Sequence, residues 1–287
     1  MKASTKQQTL VVSCPDSAGI VAAVSGFIAD RGGLLVEANH HTDLQQSWFY
    51  MRNVIDMRNS DVSFSSFKAQ FQEIVEAFQM QWSLRSANTR QKVVILASRL
   101  SHCLADLLHR WQDGELECDI PCVISNHEDL RRMVEWHGIP FHHVPVDRGD
   151  KSAAFAKTLE ITQRHEADSV VLARYMQILP TQFCEAYSGR LINIHHSFLP
   201  SFVGADPYQQ AYDRGVKLIG ATCHYVTEDL DEGPIIEQDV IRVGHNCDRQ
   251  EMIRRGRDVE KLVLARGLRY HLEDRVLLQG NKAVVFS

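Results

Sequence analysis

Between Val93 and His196 the chain repeats one pattern: a short apolar, β-branched run, a turn, then a stretch of helical periodicity. VVILAS (93–98), PCVISN (121–126), PFHHVPV (140–146), SVVLAR (169–174) and RLINIHH (190–196) are strand candidates. Helical segments near 101–112, 128–137 and 151–166 separate the first four. Strands that alternate with helices are joined by right-handed crossovers, so this stretch is expected to build an α/β fold on a doubly wound, mostly parallel sheet. Ligands of such sheets sit beyond the carboxyl ends of the strands. That rule points to the residues after Arg174 and to the end of the LINIHH strand.

The residues ahead of Val93 follow a different order. TLVVSC (9–14) reads as a strand, and Ile20, Val24, Phe27 and Ile28 recur at helical spacing until Gly32-Gly33 stops the helix. LLVEANHHT (34–42) and SWFYMRNVID (47–56) read as paired strands. Phe64, Phe67, Phe71, Ile74, Val75 and Phe78 form the stripe of a second helix, and a last strand lies near Trp82–Leu84. The order βαββαβ predicts a ferredoxin-like domain with two helices on one face of an antiparallel sheet. With 287 residues there is room for two domains, placed at 1–85 and 92–287 with the polar joint SANTRQ (86–91) between them.

The net charge of −5 argues against a nucleic-acid partner, which requires a basic surface to displace phosphate counterions. No apolar run is long enough to cross a bilayer, and the first residues lack the apolar core of a signal peptide, so a cytoplasmic protein is expected. Seven scattered cysteines fit reduced, buried thiols, and the spacing of Cys118 and Cys122 matches neither a zinc knuckle nor a redox motif. His40-His41 and His142-His143 lie in strands, so each pair splits across two faces and cannot chelate one ion together. No metal and no cofactor are expected.

The chemistry concentrates in two places. In NIHHSFLPSF (193–202) Asn193 and His195 project from the same face of a strand end, with His196 on the other. An amide and an imidazole side by side can hold one carbonyl oxygen as negative charge develops on it. Taken alone, the pair also fits the more ordinary use of polar residues to cap a strand end. Downstream, GATCHYVTEDLDEGPIIEQ (220–238) carries an acidic loop in which Gly233-Pro234 fixes the backbone just after Asp231. A carboxylate aimed there, beside an imidazole and an amide, would complete a hydrolytic constellation that needs no metal.

These residues carry a specific resemblance. Asn193 and His195 within NIHHSFLPSF, and Asp231 within DLDEGPII, resemble the signature of the formyltetrahydrofolate-dependent formyltransferase and deformylase superfamily, over roughly Val93 to the C-terminus. LARYMQILP (172–180) resembles that family's folate-pocket strand and loop, which implies a substrate-binding role for Arg174, Tyr175, Met176, Gln177, Ile178 and Leu179. CPDSAGIVAAVSGFIADRGG resembles an ACT domain, a module that often binds amino acids. By that resemblance Asp16 and Gly19 would receive a small effector, with methionine and glycine as the candidates, and the chain would form a homo-oligomer.

An ACT domain followed by a formyl-hydrolase domain is the layout of the deformylases, which implies hydrolysis of 10-formyltetrahydrofolate to tetrahydrofolate and formate. Formate so released would supply purine biosynthesis and balance the one-carbon folate pools. The alternative is a formyltransferase to a small amine. Against it, LASRLSHCLADLL (96–108) holds no glycine where transformylase relatives place a phosphate-binding loop. The helix DRQEMIRRGRDVEKLVLARGLRYHLEDR (248–275) mixes acids with its arginines, and the chain ends soon after it, without the basic domain of a tRNA formyltransferase. In the mechanism so implied, Asn193 and protonated His195 hold the oxyanion. Asp231 orients His195 and accepts a proton from water, with a pKa raised under bound folate. His196 resembles the deformylases, with either a water-ordering or a packing role. Asp206 and Gln209 depart from the basic residue and histidine usual in that loop, which puts binding of the acidic folate tail in question.

Overall fold

The computed structural model describes residues 6–147, 149–201 and 206–287. They divide into two compact units. One runs to Arg90 and takes in Asp274–Leu277 and Val284–Ser287; the other comprises Gln91–Glu273 and Leu278–Ala283. The stretch after Glu273 is thus shared between units, whereas the sequence reading assigned all of 92–287 to one domain. Within the first unit Arg85 holds Asp274 at 2.6 Å and Glu37 meets Arg275 at 3.4 Å.

The first unit has the expected βαββαβ order: β1 (Gln7–Pro15), α1 (Ile20–Asp30), β2 (Leu34–Asp43), β3 (Trp48–Asp56), α2 (Phe64–Phe78) and β4 (Gln81–Ser86). The antiparallel sheet runs β2-β3-β1-β4. Alternation along β1 turns Leu10, Val12 and Cys14 inward, where they meet Ile20, Val24, Phe27 and Ile28 of α1 and Phe67, Phe71 and Val75 of α2. Phe71 is the keystone, with ring centroids 5.2 Å from Phe27 and 5.0 Å from Trp82.

The second unit contains β5 (Gln91–Ala97), α3 (His102–Gln112), β6 (Cys118–Asp119), β7 (Val123–Ser125), α4 (Arg131–Trp136), β8 (Phe141–His143), α5 (Lys151–Arg164), β9 (Ser169–Ala173), α6 (Thr181–Ala186), β10 (Leu191–His195), α7 (Pro207–Asp213), β11 (Leu218–Tyr225), β12 (Ile235–Arg242) and α8 (Arg249–Leu272). The sheet runs β12-β11-β10-β9-β5-β7-β8, parallel from β10 to β8 and antiparallel at β11 and β12, with β6 beside β5. Val94, Leu96, Val170 and Leu172 pack with Phe155 and Leu159 of α5 and Phe183 of α6, while α8 covers β10 and β11. The chain builds outward from β5 in both directions, so the strand order reverses between β5 and β9, and a crevice opens at their carboxyl ends.

Three strand or helix spans are shorter than the sequence implied. β7 begins only after Pro121, which lacks an amide donor, and β8 stops before Pro145. After β7 the Ser125 hydroxyl accepts the His127 amide and turns the chain, so α4 starts at Arg131. The sequence reading also passed over α6, α7 and a C-terminal hairpin of β13 (Val276–Gln279) and β14 (Lys282–Val285). Asp206 caps α7 and Pro207 occupies its first turn, a start signal present in the sequence.

Phe71→Ala is expected to cost about 3–5 kcal/mol, since it empties the aromatic centre of a small core. Urea unfolding followed by a probe in the first unit measures it; a loss below about 1 kcal/mol would show that Phe71 is not the core's centre.

Candidate active site

Every residue proposed from sequence for catalysis or the substrate pocket lines one cavity of about 310 Å³ in the second unit: Asn193, His195, Asp231, and Arg174, Tyr175, Met176, Gln177, Ile178 and Leu179. Their roles in it differ. Met176 and Ile178 are exposed at the mouth, whereas Tyr175 and Leu179 are buried in the sheet's core. Arg174 directly follows β9 with φ +60°, in the left-handed region that a side chain of this size rarely adopts.

Asn193 and His195 come from β10, and the loop that follows is clamped. Thr222 of β11 accepts the Leu199 amide at 3.0 Å and donates to the Ser197 carbonyl at 2.9 Å, and the Gln238 amide donates to the Leu199 carbonyl. Asp231 lies in the turn between β11 and β12. Two features hold it: its own φ of +58°, and Gly233, where a Cβ would overlap the Tyr225 carbonyl oxygen. The turn therefore closes tightly enough to bring the Asp231 carboxylate 3.1 Å from His195 Nδ1.

A fourth group joins these, and sequence reasoning did not find it. His224 faces Asn193 across the antiparallel β10–β11 ladder. Its Nδ1–H donates to the Tyr225 carbonyl, which leaves Nε2 at 3.2 Å from Asn193 Nδ2 and 3.7 Å from Asp231 Oδ1. Nε2 is thus within reach of both the Asn193 amide and the Asp231 carboxylate. Asn193 keeps its second N–H, and His195 keeps a buried Nε2 with no partner.

Burial pushes the Asp231 carboxyl up, but the contacts to His195 and His224 outweigh it and hold the group well below the usual carboxylate range. Two imidazoles, rather than the one expected from sequence, face the carboxylate. His196 also departs from its expected direction. β10 ends at His195, strand alternation ends with it, and the His196 ring turns to the cavity wall, 5.4 Å from His195 and 5.7 Å from Tyr208. Burial and the nearby Arg174 charge lower its pKa to about 4, so the ring is neutral at ordinary pH.

Asp206 and Gln209 are engaged elsewhere. Asp206 caps α7 and holds Arg249 at 2.7 Å, and Gln209 donates to Asp213. Residues 202–205 of that loop, including Phe202 at the end of the NIHHSFLPSF motif, lie outside the described residues. Among the described residues, two trios bring metal-capable atoms within 4.8 Å of one another: Cys122 with His142 and His165, and His102 with Cys103 and Glu260. His142 thus meets His165 rather than its neighbour His143. Burial pushes the Cys122 thiol up to about 12, which opposes the thiolate a metal would need. All seven cysteines are buried.

The formyl transferase family model matches residues 91–268. Formyltetrahydrofolate deformylase of Bacillus subtilis is 48% identical over 97% of this chain and 93% of its own length. The chain belongs to the formyltetrahydrofolate deformylase family. The crystal structure of a formyltetrahydrofolate deformylase from Pseudomonas syringae superposes with a TM-score of 0.96 at 60% identity, over 98% of this chain and 94% of that one. A glycinamide ribonucleotide transformylase from Symbiobacterium toebii is more distant, at 28% identity and a TM-score of 0.66 over 70% of this chain and 97% of its own. No helix among the described residues of this deformylase-family chain is long and apolar enough to cross a membrane.

The Asp231 contacts have a pH signature. A carboxyl whose folded pKa is depressed stabilises the fold above its unfolded value, about pH 4, and loses that contribution as pH falls through the folded value. The Tm difference between the parent and Asp231→Asn is therefore expected to be full at pH 7 and to shrink below about pH 4. An equal difference at pH 7 and pH 3 would contradict the depressed pKa.

Proposed function

We propose that this chain hydrolyses 10-formyltetrahydrofolate to tetrahydrofolate and formate, with Asn193, His195 and Asp231 as the reacting set. The observation that carries the reading is the joining of these three side chains in one buried cavity, with His195 Nε2 and one Asn193 N–H left over for substrate. Full-length similarity to deformylases supports water as the formyl acceptor. The apolar mouth formed by Met176 and Ile178 suits a pterin ring.

In this reaction a water oxygen bonds to the formyl carbon as its proton passes to His195 Nε2. Asn193 donates to the oxyanion, a contact strengthened by the buried surroundings. The imidazolium then returns the proton to N10 as the C–N10 bond breaks, and formic acid loses its proton to solvent. Asp231 accepts from His195 Nδ1 throughout and stabilises the imidazolium. So acidic a carboxyl is a poor proton acceptor, and it works through His195. Neutral His196 packs beside His195 and carries no proton in the cycle.

The first unit is proposed as an ACT-like regulatory domain. A groove there is lined by Asp16, Gly19, Ile20, His40 and Phe49, and the Asp16 carboxylate beside exposed backbone suits the amino group of an amino acid, with methionine and glycine as the candidates. Gly19 has φ +97° and open space around it, which leaves backbone exposed to a ligand. β2 is an edge strand with Leu34 and Val36 exposed, which supports pairing with a second copy in a homo-oligomer.

Formate release with 10-formyltetrahydrofolate and no amine acceptor tests the reaction; a need for an added amine would make the chain a transferase. Asn193→Ala is expected to lower kcat by about 10²–10³ with little change in KM, as loss of one oxyanion donor does. A raised KM at parental kcat would make Asn193 a binding residue. Asp16→Asn is expected to abolish the kinetic response to methionine or glycine; a response equal to the parent's would place the effector elsewhere.

A further inference from the structure

Glu260 lies on α8 with 1% of its surface exposed, and it is no part of the cavity's lining. Three elements bring donors to it: His102 of α3 at 2.7 Å, Tyr208 of α7 at 2.7 Å, and Arg174 after β9 at 3.3 Å. The fold makes room for this. A Cβ at Gly256, one turn earlier on α8, would overlap the Tyr208 hydroxyl, so a helix-weakening glycine is needed for Tyr208 to reach the carboxylate. Burial pushes the Glu260 carboxyl up, but His102 and Arg174 outweigh it and bring it down to about 2. Glu260 is therefore a buried anion at every working pH.

Such a cluster is poorly explained by stability. A well-packed apolar group in place of a buried ion pair is often as stable or more so, because both charges must be desolvated. Arg174 adds a second cost, its left-handed backbone, and strain of this kind persists only where neighbours over-determine it. Both costs fall on the residue that opens the pocket loop. Arg174 lines the cavity and acts electrostatically on His196, next to His195. Its Nη1 is buried with no partner, and its Nε faces Glu260 without hydrogen-bond alignment, so its donors are not used up by the protein.

We propose that Glu260 is a positioning residue for formyl hydrolysis: it holds the strained Arg174 guanidinium at the inner wall of the cavity, where that charge favours the negative charge developing on the formyl oxygen. The inference rests on the deformylase reading. Glu260 neutralises the cation enough for it to stay buried and fixes its direction, yet does not line the cavity, so of the two the guanidinium is the charge presented to the substrate. The other charged and titratable groups around this wall include Asp231, Glu228, Tyr175, His195, His196 and His224 on the substrate side and His102, Cys103 and Tyr208 around Glu260.

The test is a double-mutant cycle in the full-length chain with steady-state kinetics and far-UV circular dichroism. Glu260→Gln keeps the shape and one acceptor oxygen, for Tyr208 or for His102, and removes the negative charge. It is expected to lower kcat at least about tenfold while KM for 10-formyltetrahydrofolate stays within about threefold and the spectrum is unchanged. Arg174→Gly removes the cation together with the backbone strain and leaves Glu260 with His102 and Tyr208 as partners, so it is expected to lose kcat by a similar factor, referred to its folded fraction. With Glu260 acting through Arg174, the double variant is expected to be no more than about twofold slower than Arg174→Gly alone. Parental kcat in either single variant overturns the proposal, as do fully additive losses or a loss matched by the fraction unfolded. The parent is measured first. A parent that releases no formate defeats the deformylase reading, whereas an active parent with an unaffected Glu260→Gln defeats this inference alone.

Discussion

The contact between His195 Nδ1 and Asp231 Oδ2 joins two segments that the chain has no local reason to bring together. β10 supplies the imidazole and the turn after β11 supplies the carboxylate. β11 pairs antiparallel with β10, so its end, His224 and Tyr225, lies beside Asn193 and Ile192, and the turn closed at Gly233 brings the acid that follows back to His195. A one-residue slip in the β10–β11 register would turn His224 away from Asn193 and move the turn out of reach. The apolar strands Val93–Ala97 and Ser169–Ala173, buried on both faces, anchor that register to the sheet.

Electrostatics around the cavity then divide into two balanced groups. Asp231 is ionised because two imidazoles face it, and Glu260 is ionised because His102, Tyr208 and Arg174 do. Between them stand His195, His196 and the Arg174 guanidinium, with four buried nitrogens that find no hydrogen-bond partner in the protein. Unpaired buried donors and acceptors are costly, and their grouping around one cavity marks where a polar ligand completes the structure. Neutral His196, wedged between His195 and Tyr208, links the two groups by packing.

Much of this was legible in the residues. Period-two and period-3.6 patterns placed both sheets, because buried strands and amphipathic helices write their burial directly into the sequence. Asn193 and His195 were legible for the same reason, and Asp231 through Gly233-Pro234. His224 was not, since its relation to Asn193 exists only through the register of two strands 31 residues apart. Glu260 left a weaker trace: it is an acid on the buried stripe of α8, between Gly256 and Leu264, where an apolar residue is the rule. The charge balance at Asp231 was only half legible, because its burial was visible from the motif and the second imidazole was not. The stretch after Glu273 was misplaced for a related reason: Arg85 and Asp274 are 189 residues apart in sequence.

The claim on which the account depends is that water, activated at His195 and Asn193, attacks the formyl carbon. Turnover of 10-formyltetrahydrofolate in ¹⁸O-labelled water, with the formate examined by mass spectrometry, tests it directly. One solvent oxygen in each formate released, in a single-enzyme reaction with no amine present, is the predicted result. Unlabelled formate, or formyl found on another nucleophile, would contradict it.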